Sequence, residues 1–394
     1  MMNVPNTPIE SHSTTLRKSQ VLVIDTGQEG FKDVMEVINS IDQFQSQKVT
    51  VAEVHRSSRS YEPDMVVVDI AKVTSSDIEI LSGIHASFGD VPVVIVSEAL
   101  DDVEVRTLLK LKIHDWLRKP IAHDELLLAI QSGIRAAKST SNRVHAVISA
   151  VGGAGGTTVA LALADVFARK FRKNKSSVGL FDLDFSTGGC GAFLNMSNGF
   201  NLDSVAANPS RVDSEFVNLI QQRHENGFAL YSFKQPDIVT HLNCYELVLR
   251  MLDVVTMHQS HTFLDIPYYD TDWRQDVLHA VNTITVVTEL NLPSIKQTLD
   301  ILASLEELQG EKRAVNVLVN KHVSSWFGGQ SISKKKLKEL FGETPFHFIP
   351  ADPNSVQEAM DRGVVLNDVN SSSKFLNALA KFAGTALIRA KVSA

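Results

Sequence analysis

Four of the five residues at 152–156 are glycine, and the run VGGAGGTT separates the β-branched segment VHAVISA from a helical pattern at 157–169. A chain can pass from a buried strand straight into a helix on such a loop, because glycine accepts backbone angles closed to other residues. The N–H groups of the loop then gather at the positive end of the helix and form a nest for phosphate oxygens. A strand, glycine loop and helix in this order belong in a parallel sheet with helices on both faces.

The rest of the sequence alternates in the same way. VLVID, KVTVAEV, DMVVVDI, VPVVIVS and HDWL read as strands, with helices expected at 31–41, 77–86, 101–111 and 124–137. After the glycine loop, SVGLFDLD, FALYSF, HTFLDIP, NTITVVTEL, AVNVLVN and PFHFIP are further strands. Helices fit at 212–223, 245–257, 294–307, 333–341, 354–361 and 374–390. The fold class is therefore α/β, with two doubly wound parallel-sheet domains in tandem. The polar stretch AKSTSNR has no periodicity and sets the division: a leader over 1–19, a first domain over 20–137, a linker over 138–143 and a second domain over 144–394.

Composition removes several function classes. The 394 residues carry a net charge of −7, so the broad basic footprint of a nucleic-acid binder is absent. Two cysteines, Cys190 and Cys244, exclude a disulfide framework and a four-cysteine zinc site. No apolar run is long enough to span a membrane, and the first residues lack the apolar core of a signal peptide, which predicts a cytoplasmic protein.

In open parallel sheets, sites form beyond the carboxyl ends of the strands. In the first domain those ends carry Asp25, Asp69, Ser97 and Lys119. One Asp can accept a phosphoryl group, another can help to hold Mg2+, and a hydroxyl and an ammonium can bind phosphoryl oxygens. This order, with PDMVVVDI and WLRKPIAHDELLLAI, resembles the receiver domain of response regulators, a flavodoxin-like fold. The resemblance implies Asp69 as acceptor, Ser97 as switch hydroxyl and Lys119 as phosphate-reading lysine. Receivers usually carry two adjacent acids at the end of the first strand, whereas here Thr26 follows Asp25. One hard anionic ligand is missing from the metal pocket, which favours docking over phosphorylation.

The second domain combines the glycine loop with DLD (residues 182–184), DIP from Asp265, the pair Asn320 and Lys321, and IPADPNSVQEAMDRG. That ordered set resembles the ParA/MinD ATPases with a deviant Walker A loop. The resemblance implies ATP and Mg2+ as ligands. Gly152, Gly153, Ala154, Gly155, Gly156, Thr157 and Thr158 would cradle the phosphates, and Asn320 would read the adenine edge. Thr157, Asp182 and Asp265 would support Mg2+ directly or through water, and Asp184 would orient an attacking water. The family loop reads K-G-G-x-G-K-[ST], while here Val151 and Gly156 stand in the two lysine positions. A cation of this kind can be worth about 10³–10⁵ in rate, so weak or absent hydrolysis is expected. Arg274 in DIPYYDTDWRQ is a candidate substitute.

A receiver-like domain followed by a degenerate ParA/MinD domain resembles the TadZ/CpaE family over nearly the whole chain. The resemblance implies a homodimer that helps to place type IVb (Flp/Tad) pilus machinery at the cell pole near the inner membrane. Its partners would be pilus assembly components such as the pilus ATPase. The alternatives are an active ATPase driving a localisation cycle and a response regulator phosphorylated on Asp69. The run KKKLKEL reads as a solvated helix face, so nucleic acid is not an expected partner. The final helix can contact a membrane peripherally or pack on the sheet, and packing is favoured. His258 and His261 have no third metal ligand, and Cys190 reads as a small buried residue.

Overall fold

The computed structural model describes residues 19–388, apart from 27–30, 41–43, 58–60, 62, 71–72, 90, 112, 173–175, 308–312 and 324–331. The chain forms two compact units, Met1–Thr140 and Ser141–Ala394. Most of the expected leader lies outside the described residues; its last residue, Ser19, opens the first strand.

The first unit runs β1 (Ser19–Asp25), α1 (Phe31–Asn39), β2 (Phe44–Thr50), α2 (Val51–Ser57), β3 (Met65–Asp69), α3 (Ser75–Phe88), β4 (Val93–Ser97), α4 (Asp102–Lys110), β5 (Asp115–Arg118) and α5 (His123–Ser141). Its parallel sheet has the order β2-β1-β3-β4-β5. β3 and β4 are buried along their whole length, as apolar runs must be when helices cover both faces. Val23, Val67 and Val94 face α1 and α5, while Ile24, Val66 and Ile95 face α3 and α4. KVTVAEV departs from expectation: β2 ends at Thr50 and the rest is helical. Glu53 accepts bonds from the backbone N–H and the hydroxyl of Thr50, a cap that local β propensity does not register. Within the polar stretch at 138–143, α5 continues to Ser141 and the next strand starts at Arg143, and the two units divide between Thr140 and Ser141.

The second unit runs β6 (Arg143–Ser149), α6 (Gly156–Phe171), β7 (Val178–Asp182), α7 (Gly189–Phe193), α8 (Asp203–Ala206), α9 (Ser214–Ile220), β8 (Gln222–Arg223), β9 (Phe228–Tyr231), α10 (Cys244–His258), β10 (His261–Ile266), α11 (Arg274–Ala280), β11 (Thr283–Glu289), α12 (Leu292–Glu307), β12 (Ala314–His322), α13 (Lys334–Phe341), β13 (Phe346–Pro350), α14 (Pro353–Arg362), α15 (Leu366–Val369) and α16 (Lys374–Phe382). The strand order is β13-β12-β11-β6-β10-β7-β9-β8. All pairs are parallel except β8 with β9, a small antiparallel addition that shortens the helix expected at 212–223. α11 is an element the sequence reading missed. α6 and α16 cover one face of the sheet, and α10 and α12 the other.

α16 buries Phe375, Leu376, Leu379 and Phe382 within the unit, so its apolar face is not presented to a membrane. Lys334, Lys335, Lys336 and Lys338 of α13 are exposed while Leu337 and Phe341 are buried, as expected for a solvated face. Among the described residues, no helix is long and apolar enough to cross a membrane.

Candidate functional site

The loop at 151–155 leaves β6 beside β11, where Ala150 N–H donates to Val287 O at 2.8 Å. It turns on itself through Ala154 N–H to Val151 O at 3.2 Å. Gly155 caps α6 in the left-handed region, at φ 98°, and the Asn320 amide lies where a Cβ would be. A side chain at 155 is therefore excluded on both counts. The helical ladder begins at Val159 N–H to Gly155 O, 3.0 Å, which leaves the N–H groups of Thr157 and Thr158 outside it. Gly156 N–H donates to Ser149 Oγ at 3.0 Å.

β12 holds the loop from outside. Asn320 Nδ2 donates to Ala154 O at 2.9 Å, and Lys321 Nζ donates to Gly153 O at 2.6 Å and pairs with Glu289 at 2.7 Å. Asn320 is thus engaged with the loop backbone through its amide nitrogen. Its Oδ1 is buried with no partner among the described residues. On the opposite flank the Tyr268 ring lies against Gly152.

Beneath the loop stand Asp182 at the end of β7 and Asp265 on β10, in register with each other. Asp182 accepts from Ser232 Oγ at 2.7 Å, Cys190 N–H at 2.9 Å and Asp184 N–H at 3.0 Å. Asp265 accepts from the Thr157 hydroxyl and, at 3.5 Å, from Cys190 Sγ. Burial, followed by the neighbouring carboxylate, pushes the Asp265 pKa up. Burial also raises Asp182, against the bonds it accepts. Neither has an ion-pair partner among the described residues, although buried carboxylates are costly to leave charged alone. Two uncompensated carboxylates beside a threonine hydroxyl form a hard oxygen donor set that fits Mg2+.

Asp184 sits differently. It accepts from Tyr269 OH at 2.7 Å, Thr187 Oγ1 at 2.8 Å, Ser186 N–H at 3.1 Å and Thr187 N–H at 3.3 Å. The carboxylate is committed to holding its own turn. Arg274 is bonded to Asp270 at 2.7 Å and to Tyr268 O at 3.5 Å, and makes no bond to the loop. Sequence reasoning gave no role to Ser149, Ser232, Glu289, Lys321, Tyr268 or Tyr269. Lys321 alone had a readable signal, its place beside Asn320 at a strand end.

In the first unit, Asp25, Asp69 and Ser97 end adjacent strands, and Lys119 follows the fifth. Lys119 Nζ lies 2.6 Å from Asp69 Oδ1, and Asp69 is buried. Desolvation raises the Asp69 pKa despite Lys119. Asp25 pairs with Lys48 at 2.6 Å. Ser97 donates to Glu98 O at 2.8 Å and accepts from Trp116 Nε1 at 2.7 Å, while the Thr26 hydroxyl bonds the Asp69 carbonyl. The structure joins Asp69 with Lys119; the other two side chains have local partners.

No protein-family model matches the sequence, and no curated protein matches it. A ParA family ATPase from Chlorobium tepidum TLS is similar in structure over 62% of this chain and 98% of its own, at 19% identity and TM-score 0.53. The cell division ATPase MinD of Pyrococcus furiosus aligns over 62% and 97%, at 16% identity and TM-score 0.48. A response regulator CheY-like protein from Mesorhizobium loti covers 30% of this chain and 99% of its own, at 21% identity and TM-score 0.26. Identity this low speaks to fold alone. The second unit has the fold of the ParA family ATPase, and the first has the strand order of receiver and flavodoxin-like domains.

Proposed function

We propose that the chain is a nucleotide-binding localisation and assembly factor that takes ATP with Mg2+ on the second domain and hydrolyses it slowly or not at all. The observation that carries this reading is a formed glycine nest above two uncompensated buried carboxylates, with Val151 and Gly156 where the family places lysines. The N–H groups of Gly155, Thr157 and Thr158 would receive phosphate oxygens at the helix end. Thr157 and Asp265, with Asp182 behind, would hold Mg2+, whose charge would offset that of the phosphates. Asn320 and the strand ends around it would face the base. Asp184 would orient water through Oδ2, because Oδ1 accepts from Tyr269, Ser186 and Thr187 while Oδ2 accepts from the Thr187 hydroxyl and keeps a second acceptor site. Titration of the full chain with ATP and ADP in Mg2+, read with mass by light scattering, tests binding and dimer formation together. A turnover near or above about 1 s⁻¹, the range of ordinary enzymes, would overturn the slow-hydrolysis part.

The resemblance to TadZ/CpaE supports the finer assignment: a homodimer acting at the cell pole on Flp/Tad pilus components such as the pilus ATPase. In that role the first domain docks. The Lys48 and Lys119 ion pairs already compensate Asp25 and Asp69, and Thr26 replaces the second acid of a metal pocket. Fluorescent fusions in cells test the localisation.

A further inference from the structure

We propose that Lys321 is the cation of the phosphate site, supplying from β12 the positive charge that Val151 and Gly156 remove from the loop. The proposal rests on reading the loop as a nucleotide site.

Successive side chains of a regular strand point to opposite faces. Asn320 and Lys321 instead reach the same loop, at Ala154 O and Gly153 O. The reason lies in the backbone. The register of β12 against β13 shifts between Val319 and His322, and Lys321 takes φ 53°, in the left-handed region that residues with a Cβ rarely adopt. Backbone departures of this kind persist where surrounding contacts hold them, and they cluster at ligand sites. Here the departure turns an ammonium onto the loop that the sequence has stripped of lysine.

Two consequences follow for an entering anion. Drawing the carbonyls of Gly153 and Ala154 toward β12 fixes their planar peptides. The N–H of Gly155, on the far side of the 154–155 peptide, is therefore held toward the nest. The Lys321 ammonium, 2.6 Å from Gly153 O, also places a full positive charge on the carbonyl side of the loop that forms the nest, where it acts on an anion through the field of the charge. Glu289, the last residue of β11, pairs with the same ammonium at 2.7 Å and competes with an anion for its charge. The ligand class is a polyphosphate anion such as a nucleoside di- or triphosphate. Arg274, which bonds Tyr268 O on the other flank of the loop, is tied to Asp270.

The test is calorimetric titration of the full chain with Mg-ATP, at low and high salt, for the wild type, Lys321→Met, Lys321→Arg and Glu289→Gln. Melting curves check that each variant folds. Loss of that positive charge and of its hold on the loop predicts binding weakened roughly tenfold or more in Lys321→Met, with a shallower salt dependence. Lys321→Arg should stay within about threefold of wild type, because the charge is kept. Glu289→Gln should bind as tightly or more tightly, because the ammonium is released. Wild-type affinity in Lys321→Met, or equal loss in Lys321→Met and Lys321→Arg, overturns the proposal while nucleotide binding stands. No binding by the wild type overturns the nucleotide reading and the proposal together. If Lys321→Met fails to fold, weaker binding by a folded Glu289→Gln overturns it.

Discussion

At Gly156 the missing lysine is more than a missing charge. A Cβ built there collides with Ser149 Oγ, the atom that now accepts the Gly156 N–H. Restoring the lysine by Gly156→Lys alone therefore requires the Ser149 hydroxyl to rotate away and give up that bond. The double variant Gly156→Lys with Ser149→Gly removes the obstacle. It should bind Mg-ATP more tightly than wild type by about 1.5–3 kcal/mol, the range for a charged hydrogen bond. Titration calorimetry on both variants checks this. Equal affinity in the double variant and the wild type would show that position 156 does not face the phosphates. Asp184 is set at the same scale: the Tyr269 hydroxyl holds Oδ1, and Oδ2 keeps an acceptor site beside its bond to the Thr187 hydroxyl. Tyr269→Phe should lower any residual hydrolysis, measured by phosphate release, because Asp184 loses a bond that orients it, while leaving ATP affinity within about threefold, because Tyr269 is assigned no phosphate contact.

Among the elements, the start of the second sheet carries a buried pair that links stability to pH. His145 on β6 shares a bond of 3.2 Å with His261 on β10, and its other nitrogen lies 2.8 Å from Thr283 Oγ1. Phe167, Phe171 and Phe263 pack around the two rings. Burial holds His145 down to about 3 and His261 to about 4. The unfolded chain takes protons near pH 6.5, so their contribution is complete above that pH and is lost as pH falls toward the folded values. The slope approaches about 1.4 kcal/mol per pH unit for each histidine. Asp69 and Asp165, whose pKa values burial raises, act in the opposite direction. A difference measurement is therefore needed: His261→Phe should lose stability less steeply than wild type between pH 7 and 5 in urea melts. Parallel curves would show that the pair is not held neutral.

For the molecule as a whole, each unit has its own sheet and its own core residues on both faces. A fragment of residues 141–394 should fold and bind nucleotide with wild-type affinity, as melting and titration would show. If the first domain docks, Asp69→Ala should keep cellular localisation and deletion of residues 1–138 should abolish it. Delocalisation by the point variant as complete as by the deletion would favour a phosphorylation switch.

Local pattern carried most of the fold. Apolar runs of valine and isoleucine read as strands, and glycines 152–156 with the helix after them read as a phosphate loop. Their signals lie within a few consecutive residues and need no distant partner. The same holds for Asp69, Asp182, Asp265 and Lys119, which the alternation places at strand ends. Tertiary structure decided what each side chain touches there. KVTVAEV turns helical after Thr50, where Glu53 caps the new helix, although its β-branched residues alone favour a strand. Cys190 is the small buried residue that the sequence suggests, and its thiol bonds Asp265, 75 residues away. Lys321 contacts Gly153 across 168 residues because a register shift and a left-handed backbone angle turn it there. Such contacts depend on strand order and register, which bring remote segments to one edge, and no local window of the chain encodes that meeting.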